Sequence, residues 1–147
     1  MTITFETVQE QIGRTLPGGS FSVEPYQDWL MRDVSLSTTS FAGPLHPLWA
    51  FAGTQGAMGV SIEELFAIVH ASSEDGPMLG ESDIEILRPL GIGETFTVSA
   101  TITDIVRKSG KRAGTFDIVT VAMSAEDSAG TTVALLTNSY VFPRRDA

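Results

Sequence analysis

The ten residues SFAGPLHPLW, Ser40 to Trp49, hold one of the two histidines in the chain. Histidine changes charge near neutral pH and is the commonest general acid or base. His46 stands between Pro44 and Pro47 and directly precedes an apolar helical segment. Two readings stay open: half of an acid/base pair, or a polar residue in a turn that enters a helix. Further along, Glu63 and Glu64 are carboxylates in the helical segment. Ser61 and Glu64 have the spacing of a capping box, so Glu64 also reads as a cap and Glu63 as a solvated or interface charge. A third cluster is cationic. Arg107, Lys108, Lys111 and Arg112 crowd six residues, and with Arg144 and Arg145 they make six of the nine cations. They form either a solvated turn and tail or a landing site for a ligand's phosphates. His70 falls at the end of the helical segment, where a cation complements the helix dipole. Asn138 and Tyr140 share one face of a strand, fit for packing or for touching a ligand. Two histidines, scattered carboxylates and no cysteine do not compose a metal site, and none is expected.

The bulk numbers bound what these residues can serve. A chain of 147 residues that is 42% hydrophobic reads as one globular domain, residues 1–147, with a core of its own. Without cysteine there are no disulfides and no thiolate nucleophile. A net charge of −9 repels nucleic acid and anionic membranes. No apolar run reaches the ~18–20 residues of a membrane span. MTITFETVQE lacks a basic stretch followed by an apolar one, so no signal peptide and a cytoplasmic location are expected.

The elements that must position the candidate residues follow from periodicity. ETVQEQIG predicts a short helix ended by Gly13, SFSVE a strand, and PYQDWLMRDV a helix opened by Pro25. From Pro47 to about Ala71 the pattern is helical and apolar nearly all round, with Met58, Ile62, Leu65, Phe66 and Val69 on one stripe. Such a helix belongs inside a protein. Gly53, Gly56 and Gly59 would admit close backbone approach, and a break near Gly59 with a restart at Ser61 is foreseen. ESDIEILRPL reads as a strand that Pro89 ends or pushes to an edge. Phe96, Val98, Ala100 and Ile102 alternate with threonines and serines in a long strand. VRKSGKRAG is the expected turn after it, and GTFDIVTVAMSAED and TVALLTNSYVF are two further strands. One long central helix wrapped by a curved antiparallel sheet is an α+β, hot-dog architecture.

Three spaced motifs sharpen this reading: Arg88-Pro89-Leu90…Gly93-Glu94, then Lys108…Gly110…Gly114, then Asp127…Gly130. In order and spacing the stretch from about residue 77 to 143 resembles the second half of MaoC-like dehydratase domains. That resemblance implies (R)-specific hydration of trans-2-enoyl thioesters or the reverse dehydration. Active members carry a D-x-N-P-x-H motif before the central helix, so that a carboxylate and an imidazole hold one water between them. Phe41-Ala42-Gly43-Pro44-Leu45-His46 keeps the proline and histidine of that motif. It has Phe41 in the aspartate position and Gly43 in the asparagine position.

The resemblance therefore implies an acyl-CoA hydratase or dehydratase domain without the full dyad, acting as a partner subunit that shapes an acyl pocket. His46 is its candidate catalytic residue. Trp49, Gln55, Gly56, Lys108, Lys111 and Arg112 are the candidates for acyl and CoA contacts. A hot-dog thioesterase is the alternative, with Glu63 or Glu64 as its carboxylate; Gln55-Gly56-Ala57 stands where one thioesterase group has an HGG-type signature. Acyl-CoA is expected as substrate or ligand, with no other cofactor. An isolated hot dog leaves edge strands bare, so a homodimer or a heterodimer with another hot-dog chain is expected.

Overall fold

The computed structural model describes residues 3–38 and 43–145. Its frame is one antiparallel sheet built from β1 (Gly19–Ser22), β2 (Met78–Ile86), β3 (Thr95–Gly110), β4 (Gly114–Glu126) and β5 (Thr132–Pro143). The strand order is β1-β3-β4-β5-β2, so β1 and β2 are the edges. Alternation decides the faces. Phe96, Val98, Ala100 and Ile102 of β3, Val119, Val121, Met123 and Ala125 of β4, and Leu136, Tyr140 and Phe142 of β5 are buried. Bulges between Ile102 and Asp104 and between Leu79 and Glu81 interrupt the ladders, as bulges do where a sheet bends.

Four helices accompany the sheet, and the first, third and fourth put core residues against that buried face. They are α1 (Phe5–Gln9), α2 (Pro25–Val34), α3 (Trp49–Gly56) and α4 (Ile62–Ile68), followed by a short 3₁₀ turn at Ser73–Asp75. The apolar segment from Pro47 to Ala71 is thus two helices, with the break at Gly59 and the restart at Ser61. Gly59 has φ +89, and a β-carbon there would run into the backbone of Gly18. Only glycine tolerates both conditions. Ser61 Oγ accepts from Glu64 N–H (3.1 Å) while Glu64 Oε2 accepts from Ser61 N–H (2.6 Å), a complete capping box. At Gly53 the close neighbour is the Phe21 ring rather than a backbone, and at Gly56 nothing approaches. Met58, Leu65, Phe66 and Val69 are buried as the stripe predicts, but Ile62 and Leu48 are exposed, so the helical layer is not covered all round.

The turn expected at residues 106–114 is shorter. Strand β3 runs to Gly110, and Arg107 and Lys108 are strand residues. The reason lies opposite: Arg107 pairs with Asp117 across the ladder, and its Nε and Nη2 donate to the two carboxylate oxygens (2.7 and 3.0 Å). Asp117 is fully buried and also accepts from Arg144 Nε (2.7 Å). Arg144 then donates to the carbonyls of Val69 and His70 (2.7 and 2.9 Å), the bare end of α4. The cation serving that helix terminus is therefore Arg144, whereas His70 takes the left-handed φ of +57 that ends the helix.

Two of the three spaced motifs have a common physical basis. Arg88 grips Glu94 through two nitrogens (3.0 and 2.8 Å) and reaches Asp127 (3.1 Å). Asp127 also accepts from Ala129 and Thr131 N–H, closing the β4–β5 turn. The first and third motifs are one ion network that ties the β2–β3 and β4–β5 connections together, while Lys108…Gly110…Gly114 forms the β3–β4 hairpin outside it. No helix among the described residues is long and apolar enough to cross a membrane. The sheet with helices packed on its one buried face is the hot-dog architecture.

Candidate functional site

His46 is delivered by a short loop whose shape depends on α2. Asp28 is fully buried, and its Oδ1 accepts from the backbone N–H of His46 (2.7 Å). Its Oδ2 accepts from Arg32 Nε (2.7 Å), and Arg32 Nη2 donates to the Pro44 carbonyl (2.6 Å). Burial by itself raises the Asp28 carboxyl, but the His46 N–H and the Arg32 guanidinium outweigh it and hold the group below its ordinary range. This i, i+4 pair is the anchor that sequence reading did not single out. PYQDWLMRDV contains the spacing, yet nothing in it tells that Asp28 and Arg32 face inward.

The His46 ring is used locally. Its Nδ1 accepts from Leu48 N–H (3.2 Å), at the start of α3, and its Nε2 lies 3.4 Å from Ser35 Oγ. Among the described residues no carboxylate makes a hydrogen bond or ion pair with the ring, although the Asp28 carboxylate interacts with His46 electrostatically. Phe41 lies outside the described residues. Beside this loop, Pro44, Leu45 and Pro47 face Ile86, Leu87, Arg88, Pro89 and Leu90 across a cleft of about 350 Å³.

A second cleft, of about 180 Å³, lies at the other end of β2 and is lined by Gln55, Ile62, Phe66, Pro77, Met78, Leu79 and Tyr140. Behind it runs a polar chain that the strand pattern of Asn138 and Tyr140 only hinted at. Ser82 Oγ donates to Asn138 Oδ1 (2.6 Å), which turns the Asn138 amide nitrogen toward Gln55 Oε1 (2.8 Å) and Tyr140 Oη (3.0 Å). The Tyr140 hydroxyl donates to the same Gln55 Oε1 (2.9 Å). Burial pushes the Tyr140 phenol up, so it stays a neutral donor. Gln55 Oε1 is saturated. Its amide nitrogen donates to no described residue, leaving Gln55 as the one amide donor on an otherwise apolar lining with a tyrosine at its edge.

The remaining predicted residues are scattered. Trp49 packs half-buried on the core beneath α3, and its Nε1 is enclosed with no partner among the described residues. Gly56 ends α3 and lines neither cleft. Lys108, Lys111 and Arg112 are exposed around the β3–β4 hairpin, while Arg107 and Arg144 are consumed by Asp117. Glu64 serves the α4 cap and Glu63 is exposed; neither lines a cleft. Among the described residues no group of three or more potential ligands gathers to hold a metal ion.

No family model matches the sequence, and no curated protein is similar to it in sequence. Comparison with solved structures is informative about the fold. A chain of the ChsH1–ChsH2 complex from Mycobacterium tuberculosis superposes with a TM-score of 0.71 at 15% identity, over 97% of both chains. A MaoC-like dehydratase gives 0.70 at 18% identity over 95% of this chain, which spans only 44% of that one. A hot-dog-like protein from Thermanaerovibrio acidaminovorans gives 0.59 at 15% identity, over 98% of this chain and 90% of the other. The chain is a hot-dog-fold protein, of the shape found in MaoC-like dehydratases.

Proposed function

We propose that this chain is a MaoC-like acyl-thioester hydratase or dehydratase subunit that lacks the Asp/His dyad and shapes the acyl pocket for a catalytic partner. The observation that carries this reading is the state of His46. Its two ring nitrogens face Leu48 N–H and Ser35 Oγ, and the motif's aspartate position is Phe41. A hydration step needs a carboxylate and an imidazole on one water. By contrast, the smaller cleft has the make-up of a ligand pocket: apolar walls with one placed donor, Gln55. In this reading Gln55 meets the thioester carbonyl, Tyr140 and Phe66 flank the acyl chain, and the exposed Lys108, Lys111 and Arg112 serve the phosphates of CoA.

The test is loss of enoyl absorbance from a short and a bulky trans-2-enoyl-CoA, with the chain alone and mixed with a hot-dog chain bearing the Asp/His motif. Hydration only in the mixture is expected. Hydration by the isolated chain refutes the partner role, and thiol release without hydration, abolished by Glu63→Gln or Glu64→Gln, replaces it with thioester hydrolysis.

A further inference from the structure

Helix α2 has its amphipathicity inside out. Its buried residues are Asp28 and Arg32, an ion pair, whereas Tyr26, Trp29, Leu30 and Val34 are exposed by 59, 49, 47 and 77%. Their spacing, i, i+3, i+4 and i+8, puts those four on one face. Just past the helix, Ser37 N–H donates to the Arg32 carbonyl (2.9 Å) and Leu36 N–H to that of Asp33 (3.1 Å). These are the paired bonds that end a helix on a left-handed residue, where glycine is the usual occupant. Here the occupant is Leu36, at φ +52 and 87% exposed. A leucine thus stands in solvent at a steric cost. An aromatic side chain covers roughly 150–250 Å², so these five residues leave an apolar surface on the order of 500 Å² bare, as large as the biggest patch on most monomers. Asp33 shares the face, is exposed, and joins no ion pair among the described residues.

We infer that the outer face of α2 is a self-association surface, on which two copies of this chain pair antiparallel about a two-fold axis between Trp29 and Leu30. Area and charge select this occupant. Two such faces together amount to about 1,000 Å², the least that a specific interface needs. In the antiparallel register Trp29 packs on the partner's Leu30, and Tyr26 stands opposite the partner's Asp33. The Tyr26 hydroxyl then donates to that carboxylate, and the two-fold axis makes the bond twice. The single charge on the face is thereby satisfied by a donor that the same face carries. A lipid surface offers Asp33 no such donor, and an unpaired carboxylate opposes entry into an apolar phase. A net charge of −9 opposes approach to an anionic membrane as well. No residue of α2 lines either cleft, so pairing leaves both open, and the inference does not depend on the hydratase reading.

Sedimentation velocity on the full chain, up to about 100 µM, tests it. The wild type should dimerise with a dissociation constant on the order of 10 µM, as so small an interface allows. Leu30→Glu sets two carboxylates at the axis and should weaken the dimer at least ~30-fold. Tyr26→Phe leaves Asp33 unpaired and should weaken it roughly 10-fold, and Tyr26→Phe/Asp33→Ala should recover part of that loss. The chain has no cysteine, so single cysteines report the geometry. Leu30→Cys should form a disulfide-linked dimer under mild oxidation. Val34→Cys should not, because antiparallel pairing separates the two Val34 positions by about 13 Å along the axis. All these substitutions fall on exposed positions, and circular dichroism confirms the fold of each variant. A wild type still monomeric at about 100 µM would overturn the inference. Flotation of that monomer with phosphatidylcholine vesicles would assign the face to a lipid surface instead. A dimer that Leu30→Glu leaves intact, or Val34→Cys cross-linking as readily as Leu30→Cys, would overturn it equally.

Discussion

Gln55→Leu is the perturbation that separates the proposed pocket from ordinary packing. In the native network Gln55 Oε1 accepts from Asn138 and from Tyr140, at 2.8 and 2.9 Å. Leucine keeps the volume and removes both the acceptor and the amide donor. Asn138 still reaches Tyr140 Oη at 3.0 Å, so its amide keeps one partner there and another in Ser82. Tyr140, 3% exposed, loses the only acceptor of its hydroxyl among the described residues. One orphaned buried donor costs about 1–3 kcal/mol. The cleft admits water, which places the loss at about 1–2 kcal/mol. Urea unfolding measures it, and Gln55→Leu/Tyr140→Phe should bring no recovery relative to the sum of the single changes, because the orphan then moves from the Tyr140 hydroxyl to the buried Asn138 amide, which loses both its acceptors. The ligand side is independent. A neutral hydrogen bond to a carbonyl is worth about 0.5–1.5 kcal/mol net, or roughly 2- to 12-fold in affinity. Calorimetric titration with a short acyl-CoA and with its thioether analogue, which lacks the carbonyl, should show that loss for the thioester only. Equal weakening of both ligands, or none of either, would refute the assignment of Gln55 to the thioester carbonyl.

Arg144→Met should destabilise the chain by about 3 kcal/mol, since it leaves the α4 terminus uncapped and strips one cation from buried Asp117; thermal unfolding should show it, with Arg145→Met as a near-neutral control. Acid should destabilise the protein through Asp28. Its folded pKa lies below the ordinary 3.8, so its contribution is complete above that value and is lost as pH falls through the folded pKa. Asp28→Asn should therefore lower stability at neutral pH and flatten the fall below about pH 4, a comparison that urea titrations across the acid range can make. Phe41→Asp should leave the isolated chain inactive toward enoyl-CoA, because the His46 ring nitrogens already face Leu48 N–H and Ser35 Oγ; hydration gained by that single change would show that the imidazole is free to act.

Wherever a signal was local, the sequence carried it. Alternation along Phe96 to Ile102 named the buried face of β3, Pro25 opened α2, and the Ser61/Glu64 spacing with Gly59 placed the break between α3 and α4. These are period-2 and period-3.6 patterns and capping geometries, settled within a few residues. The order of the turn motifs was enough to foresee the fold. The polar interior was not legible, because a strand or helix pattern records hydrophobicity and not partners. Asp28, Arg32 and Asp117 were not singled out, and Arg107 and Arg144 read as a solvated turn and tail or a phosphate site; yet Asp28 and Arg32 together hold the His46 loop to α2, and Asp117 joins Arg107 to Arg144. The cations in the β3–β4 region were split accordingly, with Arg107 committed to the interior and Lys108, Lys111 and Arg112 left outside. Gln55, Asn138 and Tyr140 met because a helix and the last strand pack face to face across more than eighty intervening residues. Sequence determined that phenylalanine, Phe41, stands five residues before His46, which is a matter of identity. Only the tertiary structure decided where the ring nitrogens point and that Gln55, Asn138 and Tyr140 meet beside a cleft, because direction and contact are properties of packing.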